Sequence, residues 1–485
     1  MIDANIVGSG PNGLAAAVVL ARAGLSVRVY EAEDTIGGGV RTLELTEPGF
    51  RHDWGSAVHA MAFASPFFQH FAITERTAFV TPEISYGHAL DNGRAGIAWR
   101  DLGRTSDGLG RDGAAWSRLL KPLVDNGQRV AEFVTSPMLP VPRHPLTALG
   151  FGLRALEQGS PLAGLRFRGD VAPAMLAGVY AHSIGRLPSL GTAAAGLMLA
   201  TLAHSVGWPI PVGGSQVITD AMVSDIEAHG GVIETGHRIG SLAELPAARA
   251  VFFDTSARQL ALLAGERLTP SYRRALGRFR MGNAASKVDF ALSAPVPWAS
   301  ADLRRAPTVH VGGRYAEVAA AEAAVAQGKY ARSPYVLVSQ PSLFDVTRAP
   351  AGMHTLWAYA HVPAGSDRDM TEPITAQIER FAPGFRDVIL ASRATPATEL
   401  EQADANFIGG DIATGSADFR QLLARPVLSS RPWRAAPGLY LCSAATPPGP
   451  GVHGMGGYHA ARLALHEVFG LPVPSLAPNS PQSVS

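Results

Sequence analysis

Ile6-Val7-Gly8-Ser9-Gly10-Pro11-Asn12-Gly13 reads as a short buried strand that breaks on a glycine turn and restarts as a helix. Outward from it, residues 14–23 continue as a helix rich in alanine and leucine, and Gly24 stands where a left-handed C-terminal cap belongs. Ser26-Val27-Arg28-Val29-Tyr30 is a second strand that ends on Glu31. Strand, G-x-G-x-x-G, helix, strand and acid, in that order, open a dinucleotide-binding βαβ unit. Gly8 permits the tight turn. Gly10 lets a pyrophosphate approach the backbone, and Gly13 lets helix and strand pack closely. The helix N-terminus offers N–H groups and a positive dipole end to phosphates. Glu31 can accept a hydrogen bond from a ribose 2′-OH, and its charge disfavours a 2′-phosphate. In a chain with 52 glycines the motif alone is weak, and a glycine turn in an ordinary α/β core is the bland alternative. The ordered flanks favour the nucleotide.

At 485 residues, 47% hydrophobic and 17% charged, the chain has material for two domains, or one with a large insertion, around a buried core. A net charge of +1 gives no footprint for nucleic acid. Residues 1–5 leave no room for a leader before the first strand, so the expected location is the cytoplasm. Cys442 is the only cysteine. An intrachain disulfide, a cysteine zinc cluster and a C-x-x-C redox pair are therefore excluded, and the flavin–disulfide reductase mechanism with them. Cys442 lies in the apolar strand 438–442 and reads as a buried, inert thiol. Lysine is rare, with Lys121, Lys287 and Lys329 the only three, which hints that a compact ammonium is wanted where one is kept.

The α/β pattern recurs after interruptions. Residues 61–208 change character: Phe63, Phe67, Phe68 and Phe71 cluster, and helical spacing runs around 116–133. The stretch 190–206 is almost wholly apolar but short of the ~20 residues that span a bilayer. It reads as a buried helix, with the lining of an apolar tunnel as an alternative. A helix at 217–229 and strands at 231–239 and 250–255 return to the nucleotide pattern. Residues 270–425 again mix strands and helices. A last strand and helix, 439–465, surround Gly449-Pro450-Gly451-Val452-His453-Gly454. That second G-x-G-x-x-G is rejected as a fingerprint, because of its prolines and because only 31 residues follow it. One dinucleotide site is expected.

The fold expected is α/β: a discontinuous Rossmann-like domain (1–60, 209–268, 429–471) with an inserted α+β substrate domain of mixed sheet plus helices (61–208, 269–428). A loose tail, 472–485, follows.

Three stretches carry a resemblance: the opening motif, Gly37-Gly38-Gly39-Val40-Arg41, and Leu439-Tyr440-Leu441-Cys442-Ser443-Ala444-Ala445-Thr446 with the glycine loop after it. Together they resemble the FAD-dependent phytoene desaturase and carotenoid isomerase-like family. Within it the pyridine nucleotide-disulfide oxidoreductase domain-containing protein 2 branch is nearest, through Pro211-Val-Gly-Gly-Ser-Gln, Lys287-Val-Asp, Ser339-Gln-Pro-Ser-Leu-Phe-Asp and Gly409-Gly-Asp-Ile. The resemblance implies FAD. Gly8, Gly10, Pro11, Asn12 and Gly13 would hold the pyrophosphate and Glu31 the ribose. Gly38, Gly39 and Arg41 would lie along the ribityl side, Ile239 at adenine, and Val452, His453 and Gly454 at the isoalloxazine. Amine-oxidase-like relatives often carry an acid after the last strand; Ser443 and Ala444 stand here instead, and carotenoid-type relatives also lack the acid, which favours that branch.

The expected activity is an FAD-dependent oxidoreductase on an apolar, polyene or lipid-like substrate. An external acceptor, oxygen or a quinone, takes the electrons, and a peripheral membrane contact is an open option. Lys287 is the leading catalytic candidate, by resemblance to the lysine that holds a water near N5 in related flavin oxidases; an exposed strand-edge lysine is the alternative. His453 is second, as a proton carrier or as a structural histidine, with His59 weaker. An amine oxidase would want two rings caging the amine, for which Trp433 and Tyr458 are candidates. A non-enzymatic carrier of lipidated partners, like the guanine-nucleotide dissociation inhibitors, is the third reading. Substrate, reaction direction and oligomeric state are not legible.

Overall fold

The computed structural model describes residues 2–137 and 141–478. Its first layer is a six-stranded sheet in the order Arg434–Ala436, Leu439–Leu441, Ala248–Phe253, Ile2–Val7, Val27–Tyr30, Val232–Glu234. All neighbours are parallel except the outermost pair, Arg434–Ala436 and Leu439–Leu441. The strands come from three separated stretches, with the opening strand in the middle. On that strand Ala4 and Ile6 face one core and Val7 another, so both faces are covered. The helix Pro11–Arg22 covers one face, with Pro11 in its first turn. It ends in a Schellman motif: Gly24 at φ +78 donates to the Ala21 carbonyl and Leu25 to the Leu20 carbonyl.

The second layer is a seven-stranded mixed sheet, ordered Ile389–Thr395, Ala284–Leu292, His354–Val362, Val336–Ser339, Thr308–Val311, Ile84–Ala89, Ala95–Trp99. Side-chain alternation divides it. Val288, Phe290, Val309, Val338, Leu356 and Ala358 fill a core on one side. Ala285, Leu337, Trp357 and Tyr359 face the helices Gly113–Val124, Val171–Ala181 and Leu190–Ser205 on the other. The mixed α/β class with a Rossmann-like domain is thus as expected. No helix among the described residues is long and apolar enough to cross a membrane. Leu190–Ser205 is a core helix that also borders a cavity.

Packing moves two expected boundaries. Phe67, Phe68, Phe71 and Ile73 lie in the same core as Pro11–Arg22, so the stretch after residue 60 joins the nucleotide layer. Tyr272 and Leu276 likewise pack beside Phe253 and Leu441. The tail is a correction. Up to residue 478 it is docked rather than loose: Leu476 is buried in the nucleotide core, Arg22 donates to the carbonyls of Ser475 and Ala477, and Arg76 donates to that of Leu476. The remainder, 479–485, lies outside the described residues.

The helix Pro145–Gln158 is amphipathic in an unusual sense. Phe151 and Ala155 point inward, while Leu146, Leu149, Leu153 and Leu156 are exposed, joined by Leu162 and Leu165.

Candidate functional site

Two of the fingerprint glycines, Gly8 and Gly13, are required by nearby backbone, and Gly10 by the Asp254 carboxylate, 2.6 Å from where its Cβ would lie. Gly8 sits at φ +99, and a Cβ there would lie 2.7 Å from the Asp254 carbonyl oxygen. A Cβ on Gly13 would lie 2.2 Å from the Gly8 carbonyl oxygen. Asp254 follows the adjacent parallel strand, and its Oδ2 accepts the Gly13 N–H at 2.7 Å. The helix N-terminus is therefore less open than expected, since the chain itself takes that donor. Glu31 is fixed by the same loop. Its Oε2 accepts from Ser9 N at 2.9 Å and Ser9 Oγ at 2.5 Å, and its Oε1 from Glu33 N at 3.0 Å. Asn12 Oδ1 accepts from Gly456 N at 3.1 Å, which fastens the C-terminal helix Met455–Ala464 to the first one.

Of the residues expected at the site, all but Gly13 and Gly454 border one cavity of about 650 Å³. Gly454 is a correction. It lies beneath the wall, where a Cβ would meet the Phe67 ring at 2.6 Å, so packing demands the glycine. Arg41 is buried in the wall. It donates to the carbonyls of Gly38 and Ala403, both at 3.0 Å, and sits 5.4 Å from the Trp54 ring. Ile239 and Val452 border the space at separate points of the chain, Ile239 fully enclosed by its neighbours.

Lys287 is buried, not at an exposed edge. It lies on the strand Ala284–Leu292, and its Nζ donates to Asp289 Oδ2 at 2.5 Å, two residues along the same face. Burial pushes the lysine down and the aspartate up to about 6, while their mutual attraction opposes both. His52 Nδ1 stands 3.5 Å from the other Asp289 oxygen.

His453 does not fit a proton carrier. Its Nδ1 accepts from Met455 N at 3.0 Å, which leaves Nε2–H to donate to the Gly449 carbonyl at 3.1 Å. Burial holds it down to about 4, so it is a neutral strut of the glycine loop. His59 is better placed. Ser215 Oγ donates to the Ser56 carbonyl, so His59 Nε2–H donates to Ser215 and the bare Nδ1 lone pair is left at the cavity. Trp433 and Tyr458 are off the cavity: Trp433 stacks on His459 at 4.5 Å and both lie in the nucleotide core.

Residues that sequence reasoning missed include Asp254, Asp404 and Arg425, all bordering the cavity. Arg425 donates to the carbonyls of Ala413, Thr414 and Ala444, joining the loop after Gly410 to the last strand. Burial, with Asp404 and Glu31 nearby, raises Asp254 to about 7. Burial likewise raises Asp404 to about 6. A position in the parallel sheet was the available signal for Asp254, since ligands gather beyond the carboxyl ends of such strands.

A raised carboxyl stabilises the fold while protonated and loses that contribution as pH rises through its folded value. Between about pH 4 and about pH 7 the protein should therefore lose stability that an Asp254→Asn variant keeps, and its thermal midpoint should fall more steeply with pH. Parallel midpoint curves for the two proteins would remove Asp254 as the titrating group.

A family model described as an NAD(P)-binding Rossmann-like domain matches residues 6–72. The chain is 23% identical to pyridine nucleotide-disulfide oxidoreductase domain-containing protein 2 of Rattus norvegicus over 551 aligned positions, covering 96% of this chain and 94% of that one. A putrescine oxidase triple mutant, from a redesign of cofactor binding, has a similar structure: TM-score 0.62, 16% identity, over 97% of this chain and 99% of the other. Cyclohexylamine oxidase from Brevibacterium oxydans IH-35A superposes with TM-score 0.55 and 15% identity, over 96% and 98%.

Proposed function

We propose that the protein is an FAD-dependent oxidoreductase that acts on an apolar, chain-like substrate, of the desaturase, saturase or isomerase type. The observation that carries this reading is the continuity of the cavity. One space is bordered by the Gly8–Gly10 turn and Glu31, by Lys287, and by the apolar side chains of Ala194, Ala195, Met198, Leu199 and Phe151. Its volume lies within the range of cofactor and small-molecule sites. The residues present fit FAD. Gly10 and Gly38 leave bare backbone at one end. Tyr30 OH, Trp54 Nε1, His59 Nδ1 and Thr414 Oγ1 are buried along the same space with no hydrogen-bond partner among the described residues. The full-length similarity to the rat protein supports the oxidoreductase class.

When bound, FAD would accept a hydride from substrate carbon and pass the electrons to an external acceptor, oxygen or a quinone. On this reading Gly8, Gly10, Pro11 and Asn12 hold its pyrophosphate and Glu31 accepts from its ribose. Gly38, Gly39 and Arg41 line the ribityl side, Ile239 meets adenine, and Val452 faces the ring. Lys287 presents a buried ammonium to the cavity, and Asp289 favours its charge. The apolar helix Leu190–Ser205 excludes water from the substrate end. A peripheral contact with an anionic bilayer belongs to the same reading. The outward leucines of Pro145–Gln158 support it, and so does the sign of the exposed charges in 141–168, which are Arg143 and Arg168.

An amine oxidase is the second reading. Trp357 and Tyr359, edge to face at 5.1 Å, border the cavity and could flank an amine. The visible spectrum of the purified protein supplied with FAD is the first test. A flavin spectrum is expected; a colourless protein that cannot take up FAD overturns both enzyme readings and leaves the carrier of lipidated partners. Anaerobic bleaching across polyenes, fatty acyl compounds and amines then separates the two, and bleaching by amines alone selects the second.

A further inference from the structure

We propose that the substrate carries an oxygen acceptor on its apolar chain, and that Thr308, Ser339 and Trp357 form the subsite that binds it. The inference rests on the cavity being a substrate site. Antiparallel register sets Thr308 opposite Ser339, and Ser339 opposite Trp357. Opposed residues of such strands stand about 5 Å apart, so the three side chains make one straight row across the sheet. All three border the cavity, at 2%, 1% and 7% exposure. Thr308 Oγ1, Ser339 Oγ and Trp357 Nε1 each lack a hydrogen-bond partner among the described residues. Burying such groups unpaired is costly, and all three belong to residues that line the cavity.

The neighbouring row has a different character. His310 bonds to His182, Leu337 is apolar, and Lys287 is paired with Asp289. Other buried atoms on this face are unpaired too, His310 Nδ1, Thr395 Oγ1 and Asp289 Oδ1 among them, but Thr308, Ser339 and Trp357 carry the unpaired atoms in these two rows whose residues border the cavity, among the described residues.

The donor set names the ligand chemistry. An indole N–H only donates, and a hydroxyl donates or accepts, so the partner must offer a lone pair. Asp289 continues the row opposite Trp357 but already holds Lys287. An ammonium has no lone pair for Trp357 and would meet the Lys287 cation in the next row. A hydrocarbon offers nothing. The fitting class is an apolar chain bearing a hydroxyl, carbonyl or carboxylate.

A matched series tests this on the protein supplied with FAD: decane, decanol, decanoate and decylamine, titrated by calorimetry. Decanol or decanoate should bind about tenfold tighter than decane and decylamine, and comparing the two separates a neutral from a charged oxygen. A Thr308→Val, Ser339→Ala double variant should lose that preference while its decane affinity and FAD content stay the same; Trp357→Phe should weaken it alone. The threonine and serine changes remove an unpaired polar group at near-constant shape, so the thermal midpoint of the double variant should not fall. Equal affinities across the series, a preference for decylamine, or a preference that survives in the double variant would each overturn the proposal. A preference without FAD uptake would instead overturn the oxidoreductase reading and leave the subsite standing.

Discussion

Replacing Arg348 by methionine is expected to cost about 3–5 kcal/mol of stability, the largest single-residue loss foreseen for this fold. Arg348 is fully buried between two acids. Its Nη2 donates to Asp53 Oδ2 and its Nε to Asp345 Oδ2, both at 2.9 Å. The acids in turn reach other segments: Asp53 accepts from Ser215 N and Thr42 Oγ1, and Asp345 from Gly213 N. The arginine thus centres a hub that joins residues 42–53, 213–215 and 345–348. Burial alone would push Asp53 up, but the Arg348 charge and the hydrogen bonds outweigh it and hold the carboxyl below its ordinary value. That contribution is present at neutral pH and is lost as pH falls through the folded value. In the variant Asp53 loses the cation that outweighs its burial, and Asp345 loses one partner while keeping those from Thr347 and Gly213. Urea denaturation at neutral and acid pH checks this. The deficit should be large at neutral pH and shrink on acidification; a deficit below about 1 kcal/mol at neutral pH would mean the hub is not the seam described.

Lys287→Met is expected to slow turnover of the FAD-loaded protein about 10- to 100-fold while leaving its FAD content unchanged. The ammonium belongs to a lysine that borders the cavity, 2.5 Å from Asp289 and 5.9 Å from the Trp54 ring. Methionine keeps the stem and removes the charge, but it strands Asp289. An Asp289→Asn variant and the double variant therefore complete a cycle that separates the stability of the pair from the chemistry of the lysine. If turnover is unchanged while stability drops, Lys287 is a structural cation.

How much of this was legible follows from the range of each interaction. The opening motif could be read because a turn, a helix start and a cap are fixed by residues within a few positions of one another. Lys287 stood out by its rarity in an arginine-rich chain, and the Lys-Val-Asp alternation places its carboxylate partner on the same face. His453 misled because nothing local reveals that both ring nitrogens are spent on the backbone of its own loop. Leu476 looked like tail because Arg22 and Arg76, which hold its segment, are far away in the chain. The row of Thr308, Ser339 and Trp357 was not legible, since it exists only through the register of three strands. Trp433 and Tyr458 failed as a cage for the same reason. Their spacing gave a cage no support, and packing sends both to the core.

The interleaving of the nucleotide sheet has a consequence for biosynthesis. Gly13 donates to Asp254, 241 positions later, and Asn12 is reached by Gly456, 444 positions later. As the chain leaves the ribosome, the glycine motif is made first and closed last. Until residues 248–253 emerge, the opening strand has one partner and a bare apolar edge, the kind that invites pairing with other chains. A nascent chain stopped before Gly456 carries the whole fingerprint but lacks the contact that fastens Asn12.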